Sequence, residues 1–136
     1  MRGLDELFNP FYWEDIDISY RALKSGYTVL FEKQSTGVHE HELGAIKKKF
    51  TQDDIKKIAY RNQFIFVWKN ADETMIWFHS VWLPYHFIKA LVRGDKNFFI
   101  GFLNAVKLLR TIIKKRNHIQ KQYIISDYDI IAKYKE

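Results

Sequence analysis

Cysteine does not occur among the 136 residues, so a disulfide scaffold, a thiolate metal site and a cysteine nucleophile are all excluded. Proline occurs twice and glycine six times, too few for a collagen-like or linker-rich chain. Long uncharged apolar runs are also missing. A membrane span needs about 20 largely apolar residues, yet Met75–Val92 contains His79, Pro84, His86 and Lys89, and Phe98–Ile113 contains Asn104, Lys107 and Arg110. Residues 1–6 have no apolar core of a signal peptide, so no export is expected from them. A cytoplasmic setting, with peripheral attachment to the inner face of the plasma membrane, is the expectation.

What is present is aromatic and unevenly charged. Phe, Trp and Tyr make up 17% of the chain, enough with the aliphatic residues to build a core. The net charge of +6 divides sharply: residues 1–42 hold four basic and eight acidic residues, and residues 43–136 hold eighteen and eight. Such asymmetry points to two surfaces with different partners.

Asn9-Pro10 marks a turn, and Phe11-Tyr12-Trp13 leads into an acidic cluster. From Glu14 to Ser25 the apolar residues Ile16, Tyr20 and Leu23 recur at i, i+4, i+7, with the acids in the first turn, where the helix dipole favours them. Asp17 and Arg21 are spaced to pair, and Gly26 is placed as a left-handed stop. Tyr27–Phe31 is rich in β-branched and aromatic residues and predicts a strand over 27–32, followed by a turn and a short extended piece at 38–41. Thr51 opens a predicted helix over 52–70. Asp72 is placed to cap a second helix, bent at Pro84 and ended at Gly94, and Asp95 a third running to about Arg116. Residues 117–125 read as a linker, with a last helix starting near Ser126. The fold class expected is α+β and mostly helical.

Two constellations carry possible chemistry. In Trp13-Glu14-Asp15-Ile16-Asp17 a carboxylate at a loop-to-helix junction is both held and accessible, as a general base must be; the plainer reading is a solubilised helix start. In Val38-His39-Glu40-His41 an extended backbone would point His39 and His41 to one side, as for a cation, though ordinary polar histidines are the commoner case. The aromatic run from Trp77 to Phe102, interleaved with lysine and arginine, suits both core packing and an interfacial helix pair. Nucleic acid is not expected as a partner, because basic charge has no recognisable binding motif beside it.

The order Gly3-Leu4-Asp5-Glu6-Leu7-Phe8, Glu14-Asp15-Ile16-Asp17, Arg21, Gly26-Tyr27, Val38-His39 resembles the latter half of the catalytic region of family 2, GT-A-type glycosyltransferases, the rhamnosyltransferase-like bacterial enzymes in particular. The resemblance covers residues 3–45 and extends more loosely through Arg61-Asn62 and Trp68-Lys69-Asn70. It implies that Asp15 is the base that deprotonates the acceptor, that Glu14, Trp13 and Tyr12 hold the acceptor sugar, and that His39 and His41 meet a divalent Mg or Mn ion on a nucleotide-sugar donor. Asp17 and Arg21 suit a structural ion pair. Residues 1–45 would then be the acceptor-side end of a GT-A domain, with one active-site helix and a small β element. Residues 46–136 would form an appended region of about three longer helices. The nucleotide-binding half is expected to precede residue 1, and the chain by itself is expected to be inactive. The expected function is inverting transfer to a cell-envelope glycan or lipid-linked acceptor. The alternative is a non-catalytic helical module that binds a partner or an anionic membrane surface.

Overall fold

The computed structural model describes residues 3–30, 32–37 and 45–133. A 3-10 turn at Glu6–Phe8 is followed by α1 (Glu14–Lys24), α2 (Ala45–Lys49), α3 (Gln52–Asn70), α4 (Glu73–Val92), α5 (Lys96–Lys107), α6 (Leu109–Ile119), a second 3-10 turn at Gln120–Gln122 and α7 (Asp127–Lys133). Most of the described chain is helical and no strand occurs among the described residues.

The helix starts follow the predicted caps. Thr51 accepts from the Asp54 N–H at 3.2 Å, Asp72 from Met75 at 2.9 Å, Asp95 from Phe98 at 3.2 Å and Ser126 from Asp129 at 3.1 Å. Each side chain thereby satisfies a donor that the first helical turn leaves open. At the end of α1, Gly26 adopts φ +84°, a backbone sign that favours glycine; a Cβ there would stand 2.8 Å from Ile124 Cδ1, the end of an exposed side chain that can turn aside.

Three expectations are corrected. No strand forms among the described residues of 27–32: residues 27–30 are non-helical chain without a ladder, because β-prone side chains stabilise a strand only when a neighbour pairs its backbone. The helix expected across Pro84 is formed, as α4 runs through it as one element from Glu73 to Val92. The third long helix is two helices, since at Leu108 the backbone tightens to an i→i−3 bond with Ala105. The 117–125 linker is instead the end of α6, the second 3-10 turn and a segment whose Ile124 and Ile125 N–H groups both donate to the Lys24 carbonyl.

Helix α3 is the centre of the packing. Phe64 and Ile65 meet Phe8 from the first turn, Ala105 from α5 and Ile112 from α6, all with at most 5% exposure. Around them the rings of Phe64, Phe87, Phe98 and Phe102 stand edge to face, with centroids 4.9–5.6 Å apart. Trp68 donates its indole N–H to His79 Nε2 at 3.2 Å, and burial, with His86 nearby, lowers the His79 pKa. His79 is therefore a neutral packing residue.

Candidate functional site

The loop that carries the acidic motif is built from α3 outward. Asn62, wholly buried, directs its amide nitrogen at the carbonyls of Phe8 (2.8 Å), Phe11 (2.8 Å) and Tyr12 (3.0 Å). Arg61 donates from Nε to Asn62 Oδ1 at 2.9 Å and from its terminal nitrogen to the Asn9 carbonyl. Held this way, Tyr12 and Trp13 both take left-handed backbone angles, φ +71° and +75°. That conformation is costly for aromatic residues and persists only where the surroundings over-determine it.

The consequence is a sharp entry into α1 that displays its first turn. Asp15 is exposed, with Oδ1 accepting from the Ile16 N–H at 2.8 Å and the rest of its carboxylate open. Glu14 is half-buried, and its Oε2 is buried without a hydrogen-bond partner among the described residues. Tyr12 is 42% exposed, whereas Trp13 tilts against Phe66 of α3 with centroids 5.1 Å apart. Of the sequence-derived set, Tyr12, Trp13, Glu14 and Asp15 thus stand together at one loop-to-helix junction. His39 and His41 lie outside the described residues. No group of three or more potential ligands occurs among the described residues, so nothing described tests a metal ion.

Asp17 has a different role. Of the expected stripe of α1, Ile16 is 47% exposed while Tyr20 and Leu23 are half-buried, the Tyr20 ring centroid lying 5.2 Å from that of Phe66; the buried residues are Asp17, Arg21, Ala22 and Lys24. Asp17 receives Arg21 Nε at 2.8 Å, Lys69 Nζ at 2.7 Å and Asn70 Nδ2 at 2.7 Å. Lys69, fully buried, also reaches Asp5 at 2.8 Å and lies 4.7 Å from the centre of the Phe8 ring. A second cluster joins Lys24 to Asp127, with Tyr20 donating to Asp127 at 2.7 Å and Asp72 and Asp127 exchanging backbone N–H bonds. Burial and the Asp127 carboxylate push the Tyr20 phenol far above its ordinary pKa, which keeps it a donor.

Asn62, Lys69, Asn70, Lys24 and Asp127 were not singled out from the sequence as site-building residues. One signal was available for two of them: Ile55, Ile58, Asn62, Ile65 and Lys69 follow heptad spacing, so two polar residues interrupt the inward stripe of α3. A polar group on such a stripe must find a buried partner.

Asp5 links this network to α6 through Lys115. Burial alone would raise its pKa, but the pairs with Lys115 and Lys69 and the Leu7 N–H outweigh it and hold the carboxyl at about 2, against 3.8 for an unperturbed group. The folded state therefore binds fewer protons here than the unfolded state, and the stabilisation present above about pH 4 is lost as pH falls toward 2. Urea unfolding of the wild type and Asp5→Asn at about pH 5 and pH 2.5 checks this: the wild type should lose on the order of 1–2 kcal/mol more than the variant.

No protein-family model, no curated protein and no solved structure matches the chain.

Proposed function

We propose that this chain is the acceptor-side end of an inverting, family 2-type glycosyltransferase, with residues 1–45 belonging to the catalytic domain and 46–136 to an appended helical region. The observation that carries the reading is the pair of neighbouring carboxylates at the start of α1. Asp15 is open to solvent, and Glu14 has a buried oxygen that lacks a donor among the described residues. The resemblance assigns Glu14 to the acceptor sugar, and its side chain would have to turn outward for that oxygen to meet a sugar hydroxyl; an unpaired buried acceptor favours such a turn. Tyr12 offers an exposed ring beside them, as sugar faces require. Tyr27, Val29 and Leu30, 60%, 44% and 84% exposed, give further support: a β-prone segment with apolar side chains in water suits pairing with strands of a nucleotide-binding half.

In this reading Glu14 orients the acceptor and Asp15 removes the proton from its hydroxyl as that oxygen attacks the anomeric carbon. The bond to the donor diphosphate breaks from the opposite face, so configuration inverts. Charge on the leaving diphosphate would be offset by a divalent Mg or Mn ion when one is bound, with His39 and His41 as the assigned residues of this chain. Lys69, Asn70 and Asn62 touch no substrate; they fix the loop that positions the two carboxylates.

The test is Asp15→Asn in an enzyme that carries the nucleotide-binding half. Turnover should fall by roughly 100-fold or more, the lower bound for loss of a general base, while donor affinity stays unchanged. Undiminished turnover removes Asp15 from the reaction.

A further inference from the structure

Helix α4 is apolar on both sides but covered on only one. Ile76, His79, Leu83, Phe87 and Ala90, at i, i+3, i+7, i+11 and i+14, form its less exposed side, and Phe87 meets the rings of α5. On the outer side Trp77, Val81, Trp82, Tyr85, Ile88 and Val92 have relative exposures from 51% to 81%. A helix with apolar residues all round is ordinarily buried all round, and a contiguous exposed face of this kind marks an interaction surface.

The charge around it selects the occupant. From Glu73, the first residue of α4, to Ser126 the chain has nine basic residues and two acidic ones, Glu73 and Asp95. Glu73 lies at the far N-terminal end of α4, and Asp95 is engaged in capping α5 and in accepting from Tyr60 at 2.7 Å. Lys89 and Arg93, both exposed, line the cleft between α4 and α3 at the edge of the apolar face, and Lys89 Nζ lies 5.6 Å from the centre of the Tyr85 ring. A second copy of the chain would bring like charges together, which opposes pairing. An anionic bilayer offers apolar acyl chains beneath a negative surface. Trp and Tyr favour that boundary, and each nearby Lys or Arg adds attraction. Helix α4 is not a span: no described helix is long and apolar enough to cross a membrane.

We infer that the outer face of α4 is a docking surface for an anionic membrane, with Trp77, Trp82 and Tyr85 at headgroup depth, Val81, Ile88 and Val92 toward the acyl chains, and Lys89 and Arg93 on the lipid phosphates. The inference is independent of sugar transfer.

Flotation of the full chain tests it, using vesicles of mixed phosphatidylcholine and phosphatidylglycerol and vesicles of phosphatidylcholine alone. The chain should float with the mixed vesicles at low salt, with tryptophan emission shifted to the blue, and bind about tenfold more weakly to phosphatidylcholine or at high salt. Trp82→Ser with Ile88→Glu, both at exposed positions, should abolish flotation with helicity and melting unchanged, and Lys89→Glu with Arg93→Glu should weaken it. Asp15→Asn should float like the wild type, which separates this inference from the catalytic one. Failure to float with the mixed vesicles overturns it, as does undiminished flotation of the Trp82/Ile88 variant or a self-associated species in sedimentation that binds no vesicles.

Discussion

Lys69→Met is expected to remove about 3–5 kcal/mol of folding stability, read as a fall in the urea midpoint with an unchanged slope. The ammonium is fully buried between Asp5 and Asp17, and Asp17 is itself wholly buried. Removing one partner leaves the carboxylates in place without the charge that made their burial tolerable. Methionine keeps most of the volume and the contact with the Phe8 ring, so the loss reports charge rather than a cavity. Adding Asp17→Asn to the variant should recover part of the stability, because exchanging both members of a buried pair costs far less than orphaning one. A loss under about 1 kcal/mol for the single variant would mean that the ion pairs do not hold the loop.

Gly101→Leu is expected to cost more than 3 kcal/mol, against the helix propensity gained on replacing glycine. A Cβ at residue 101 would lie 2.6 Å from Tyr60 Cβ, 3.0 Å from the Arg61 nitrogen and 3.0 Å from the Lys57 carbonyl oxygen. Two of these are backbone atoms of α3, which cannot turn aside as a side chain can. Relief comes only by moving α5 away from α3, which opens the packing around Phe64, Phe98 and Phe102. Gly101→Ala should show the same sign with a smaller loss, and a stabilised alanine variant would refute the close approach. Both variants are measured by thermal and urea unfolding.

The helices were legible in the sequence where local chemistry decides them. Thr51, Asp72, Asp95 and Ser126 announce four starts because capping needs only a side chain three residues from the donor it satisfies. The strand over 27–32 was misread because strand formation depends on a neighbour that the local sequence does not encode. The polar interior was hidden for a related reason: Lys24 finds Asp127 and Lys69 finds Asp5 across 103 and 64 residues, so each lysine looks like ordinary surface in its own window. At the site, the grouping of Tyr12 to Asp15 was readable from their adjacency. The left-handed angles of Tyr12 and Trp13 were not, since they are imposed by Asn62 fifty residues away.

That amide of Asn62 makes residues 8–13 a passenger on α3. A chimera that grafts a foreign stretch in place of the first 45 residues, while keeping the present helices, would inherit Arg61-Asn62 and Lys69-Asn70 aimed at carbonyls and carboxylates of another spacing. The two segments must travel together through recombination, and anyone seeking to exchange the acceptor loop must transplant both faces of the joint.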